Sequence, residues 1–145
     1  ASDVYKRQGK PFSWRLDCHA AARITGPLLW RDMRSGDQVC RPEELGDVIL
    51  GRKDCAASYH IAVVVDDAAQ GVTHVSRGED LFPVTGIHRT LQALLGLPVP
   101  QWYHHRLVKD ASGKRLAKRD RSLSLQEMRA AGMRPEDVFR LMRES

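Results

Sequence analysis

The sequence predicts an α/β fold, and three observations carry that expectation. Short segments rich in β-branched and aromatic residues alternate with stretches of helical spacing, punctuated by Gly and Pro. The stretch 59–80, YHIAVVVDDAAQGVTHVSRGED, sets an apolar pattern, a Gly71 stop and a β-branched run in succession. That run ends in Arg77-Gly78-Glu79-Asp80, and in an open α/β sheet ligands are met at the ends of strands. Finally, 145 residues of which 42% are apolar suit one domain with a real core.

Ala1–Gln8 (ASDVYKRQ) does not join naturally to the residues after it and is expected to be a non-native leader. Trp14-Arg15-Leu16-Asp17 reads as a short strand, and Gly26-Pro27 as a turn. Leu28 to Met33 reads as a second strand, closed by a Ser35-Gly36-Asp37 turn. Pro42-Glu43-Glu44 can start one helical turn, and Asp47 to Leu50 forms a third strand feeding the polar loop Gly51-Arg52-Lys53-Asp54. From Tyr59 to Gln70 two signals compete. Val63-Val64-Val65 favours a strand by propensity, but Tyr59, Ala62, Val63, Asp66, Asp67 and Gln70 keep a three-four spacing. Gly71 stands where a helix stops, so helix is expected here, with a strand at 72–76.

A helix is expected over Thr85 to Leu95, stopped by Gly96, before the rigid connector Leu97-Pro98-Val99-Pro100. Trp102 to Val108 can be a strand carrying His104 and His105. Asp110-Ala111-Ser112-Gly113 is a turn signal, and the basic loop 114–120 comes directly after it. Ser124 and Glu127 hold capping-box positions for a helix ended by Gly132. Pro135-Glu136-Asp137 opens a last helix through Met142, with acids in its first turn where the helix dipole favours them.

Composition narrows the function classes. No stretch approaches the roughly 18 apolar residues of a membrane span, and Ala1–Gln8 lacks the apolar core of a secretory signal. Cys18, Cys40 and Cys55 are odd in number and widely spaced, which fits a reduced, cytoplasmic protein better than a disulfide framework or a zinc site. Net charge is +5, and residues 101–145 hold 11 Lys/Arg against 6 Asp/Glu, so the excess lies there. Such a patch can meet phosphates, or can be a solvated basic face.

Two sets of residues stand out as candidates. Lys114, Arg115, Lys118 and Arg119 lie close together after a tight turn, where clustered cations suit a polyphosphate, or form an exposed basic turn. Arg77 comes at the end of an apolar strand, so its guanidinium would be held rigidly, either for a substrate carboxylate or for a salt bridge to Glu79, Asp80 or the Asp66-Asp67 pair. Tyr59 can offer its hydroxyl to the same ligand or pack in the core. Asp66 and Asp67 point about 100° apart on a helix, a poor acid/base dyad. Adjacent His104 and His105 would not chelate one metal comfortably, and His74 reads as structural.

Taken together, YHIAVVVDDAAQGVTHVSRGEDL, the leucine helix with GLPVP, and GKRLAKRD resemble the class I glutamyl-tRNA synthetases, most nearly their shortened branch, the glutamyl-Q tRNA(Asp) synthetases. The resemblance runs from about Phe12 to the carboxy terminus. It implies a Rossmann-type catalytic domain over 9–120 with a KMSKS-type loop at 115–119, then carboxy-terminal helices over 121–145. By position, Tyr59 and Arg77 match the family's glutamate-binding tyrosine and arginine. Lys118 matches the signature lysine, with Arg115 and Leu116 beside it at ATP, and Ala117 stands where serine is usual.

The implied substrates are glutamate, ATP with magnesium, and tRNA(Asp), acted on by a protein that is a monomer when full length. The implied reaction is ATP-dependent activation of glutamate and its transfer to the queuosine base. The family's HIGH-type signature, further glutamate contacts and zinc site belong to its amino-terminal half. The chain is therefore expected to match the carboxy-terminal half of the catalytic domain and to be inactive alone. An ordinary glutamyl-tRNA synthetase, and a basic RNA-binding module without chemistry, are the alternatives.

Overall fold

The computed structural model describes residues 12–109 and 124–144. The described residues form two compact units, one of residues 12–77 together with 81–104, the other of 78–80 together with 105–109 and 124–144.

The first unit opens with β1 (Trp14–Leu16) and α1 (Cys18–Thr25). The expected first strand stops short of Asp17 because that residue caps α1, its carboxylate accepting the Ala20 N–H at 2.7 Å. The sequence reading missed this helix, whose Cys18 and Ala21 turn inward. Next come β2 (Leu29–Asp32) and β3 (Gly36–Val39), an antiparallel hairpin. The expected turn at 35–37 instead starts the returning strand, with Gly36 supplying the positive φ of 78° that the reversal needs. A single 3₁₀ turn at Pro42–Leu45 precedes β4 (Val48–Gly51), which pairs antiparallel with β1.

The contested stretch is helical: α2 runs Tyr59–Ala69, and β5 (His74–Gly78) comes after it, two residues later than expected. A 3₁₀ turn at Glu79–Leu81 leads to α3 (Thr85–Leu95), with the expected bounds, stopped by left-handed Gly96. The last strand among the described residues is β6 (Gln101–His105). The larger sheet has the order β3-β2-β6-β5, with β2 and β6 parallel.

Two clusters make the core of this unit. Cys18, Val64, Ile87 and Leu91 join α1, α2 and α3, with Ile61 and Val63 packed around them. That contact resolves the conflict over α2, since a helix turns Ile61, Val63 and Val64 onto its neighbours while Asp66 stays exposed. Tertiary burial outweighs the modest strand preference of valine. The second cluster sets Trp30 against Trp102, rings 5.7 Å apart edge to face, with Cys40, Val75 and Phe82 around them.

In the second unit, α4 (Leu125–Ala130) begins at the Ser124–Glu127 capping box and α5 (Pro135–Glu144) begins at its proline. Gly132, at φ 82°, turns the chain between them. Cys18, Cys40 and Cys55 are free thiols, the last exposed. Among the described residues no helix is long and apolar enough to cross a membrane.

Candidate active site

Three neighbouring strands build the site by the same device. Side chains alternate faces along a strand, so Trp30 and Asp32 of β2 both point inward, as do Trp102 and His104 of β6. On β5 the inward pair is Val75 and Arg77. Each strand thus sends an apolar residue into the core and then, one step later, a polar residue above it. Because the order is β2-β6-β5, Asp32, His104 and Arg77 form a polar row over the tryptophan layer.

The row is hydrogen-bonded throughout. His104 Nδ1 donates to Asp32 Oδ2 at 2.7 Å. Arg77 Nε donates to His104 Nε2 at 3.2 Å, so that nitrogen carries no proton and the imidazole is the neutral Nδ1–H tautomer. From α3, Thr85 Oγ1 accepts from Arg77 Nη2, and His88 Nδ1 accepts from Nη1 at 3.0 Å. With Nδ1 accepting, His88 donates from Nε2 to His60 Nδ1 on α2, 3.1 Å away. The Tyr59 ring meets His88 edge to face at 5.7 Å. Arg77 is 9% exposed and His88 and His104 are 2% exposed. Tyr59 and His60 also line an open cleft of about 840 Å³, with Ser13, Arg52, Lys53 and Ser58 on its other walls.

Burial and the neighbouring charge of Arg77 favour the neutral forms of His60 and His88. His88 is pushed down to about 3, first by burial and then by Arg77, His60 and His104. His60 is lowered by burial and then by Arg77. Burial alone would raise the Asp32 carboxyl, but hydrogen bonds from His104 and from the Ser35, Arg34 and His104 backbone together hold it below its usual range. Burial raises Asp67 above the usual range, against the pull of Arg77 and with the help of Asp66.

These shifts set a pH dependence. The folded state binds fewer protons than the unfolded chain at His88, so that contribution is complete above the ordinary value of 6.5 and is lost as pH falls towards about 3. Each pH unit of that window costs about 1.4 kcal/mol. Urea unfolding at pH 7.5 and pH 5 should therefore show a marked loss of stability at pH 5. His88→Gln, which keeps a polar side chain without the titration, should lose clearly less over the same interval. An equally steep loss in that variant would remove His88 as the cause.

Residues 3–144 match the family of class I tRNA synthetases (E and Q), catalytic domain. The chain belongs to this family. It is similar to the glutamyl-Q tRNA(Asp) synthetase of Rhodobacter capsulatus, 53% identical over 88% of the chain and 48% of that protein. It is also 50% identical to the glutamyl-Q tRNA(Asp) synthetase of Nocardia farcinica, over 68% of the chain and 32% of the relative. A solved glutamate tRNA ligase from Elizabethkingia meningosepticum, in complex with its amino acid, superposes with a TM-score of 0.64 at 27% identity, covering 82% of the chain and 23% of that structure. The chain thus spans about half the length or less of these relatives.

In this class I synthetase domain, the structure brings two of the predicted site residues together. Tyr59 at the start of α2 and Arg77 near the end of β5 are linked through His88. Tyr59 is 51% exposed, so it is not core packing. Lys118, Arg115 and Leu116 lie outside the described residues. The strand turns His104 and His105 to opposite faces, the first buried and the second exposed. Among the described residues no group of three His, Cys, Asp or Glu is arranged to hold a metal ion.

Sequence reasoning missed Asp32, Thr85, His60 and His88, and weighed His104 only as half of a metal pair. The available signal was the pattern apolar-x-polar at three strand ends, Trp30-x-Asp32, Val75-x-Arg77 and Trp102-x-His104.

Proposed function

We propose that this domain binds glutamate for ATP-dependent activation and serves an enzyme that transfers the glutamyl group to the queuosine base of tRNA(Asp). The observation that carries the reading is Arg77. Its guanidinium is buried at a strand end, held by His104, His88 and Thr85, and joined through His88 to Tyr59, in a chain of this synthetase family.

In the proposed reaction, Arg77 and Tyr59 hold glutamate by its carboxylate tail. An oxygen of the α-carboxylate attacks the α-phosphorus of ATP, the bond to the bridging oxygen breaks, and pyrophosphate leaves. Lys118 neutralises the charge that grows on that leaving group. The glutamyl group then passes to the tRNA and AMP departs. Magnesium enters with the nucleotide as part of the substrate. Much of the acceleration comes from holding two ligands in line, which side chains fixed from several elements can do.

The names of the two glutamyl-Q relatives support tRNA(Asp) as acceptor. Labelled glutamate tests this in the full-length protein. Transfer is expected to tRNA(Asp) that carries queuosine and not to the same tRNA lacking it. Charging of tRNA(Glu) instead would establish an ordinary glutamyl-tRNA synthetase.

A further inference from the structure

The pair Asp32–His104 is more elaborately bonded than a core position requires. Asp32 is 1% exposed and its carboxylate accepts four hydrogen bonds: from Arg34 N at 3.0 Å, Ser35 N at 2.7 Å, His104 N at 3.2 Å and His104 Nδ1 at 2.7 Å. Burying a carboxylate is costly even when it is bonded, and two apolar residues would fill the same space. What the pair provides is direction. The carboxylate only accepts, so the imidazole proton must sit on Nδ1 and the lone pair of Nε2 must face Arg77.

We propose that Asp32 and His104 are positioning residues that set the plane of the Arg77 guanidinium for the carboxylate of the amino-acid substrate. The proposal rests on the reading that Arg77 takes that carboxylate. A guanidinium is planar, so fixing the Nε–H direction, with His88 on Nη1 and Thr85 on Nη2, fixes the whole fork. Carboxylate recognition through two parallel N–H···O bonds depends on that plane. A neutral imidazole orients the fork without adding a negative charge of its own, while the Asp32 charge stays one ring farther away.

The test uses ATP–pyrophosphate exchange by the full-length protein. His104→Asn keeps an N–H for Asp32 and removes the acceptor facing Arg77. It should raise the KM for glutamate about tenfold or more, the scale of a hydrogen bond to a charged group, with the KM for ATP within about twofold. His104→Gln, whose amide oxygen reaches towards the Nε2 position, should recover part of that loss. In an Arg77→Ala background, His104→Asn should add less than about twofold, because it acts through Arg77. A full tenfold effect there, or equal effects on both substrates, would overturn the proposal.

The two failures are distinguishable. An insensitive Arg77→Ala defeats the reading of Arg77 and the proposal with it, whereas an insensitive His104→Asn beside a sensitive Arg77→Ala defeats the proposal alone. A nitrogen-15 imidazole spectrum of the wild-type protein supplies a readout that needs no variant. It should show His104 as the Nδ1–H tautomer, and the Nε2–H tautomer would overturn the proposal.

Discussion

Arg77→Ala should raise the glutamate concentration for half-maximal ATP–pyrophosphate exchange on the order of 100-fold, the cost of truncating one partner of a desolvated, hydrogen-bonded charge pair. The KM for ATP should stay nearly constant, since the lost group is proposed to meet only the amino acid. The side chain is held from three sides, so its orientation is fixed before substrate arrives. Preorganisation of that kind makes the loss large, because the fork meets its ligand without a further ordering cost. Arg77→Lys separates charge from geometry. It keeps the cation but loses the planar fork, and should fall between wild type and the alanine variant. Circular dichroism checks that the fold survives, since His104, His88 and Thr85 each lose a donor. Unchanged glutamate kinetics in a folded Arg77→Ala would remove Arg77 from the substrate site.

Lys118→Ala should act on the other parameter. Removing a charge stabiliser from a transition state typically costs about 3 kcal/mol, or roughly 100- to 1000-fold in rate. The loss should appear in kcat for exchange, while the KM for glutamate moves little. Pyrophosphate gains charge as it leaves, so an ammonium beside it binds the transition state more tightly than bound ATP. The assignment comes from the resemblance of residues 115–119 to the signature loop. Stopped-flow measurement of adenylate formation would check it directly. A change confined to glutamate binding would move Lys118 out of the proposed role.

The fold was legible where residue spacing agreed with a following glycine stop, even against the strand propensity of Val63-Val64-Val65. The three-four spacing of α2 and the leucines and Gly96 of α3 located both helices from short-range pattern alone. The failures came where a residue has two readings. Asp17 reads as the end of a strand or as a cap, and choosing the strand hid α1. Gly36 reads as a turn or as the first residue of a returning strand, and choosing the turn hid β3.

The candidate site divides in the same way. Arg77 could be singled out because a charged residue after an apolar strand is visible within a few positions. Its partners could not, because Asp32 and His104 stand 72 residues apart and meet only when β2 lies beside β6. His88 is hidden differently: it lies on the inward face of α3 beside Ile87 and Leu91, where spacing suggests only core.

The most direct test of the account is the structure of the full-length protein with an unreactive glutamyl-adenylate analogue. A carboxylate of the glutamyl tail should lie within about 3 Å of Arg77 guanidinium nitrogens, with the Tyr59 hydroxyl beside it and Nε still on His104. A glutamyl tail bound elsewhere, with the Arg77 fork turned away from it, would contradict the account.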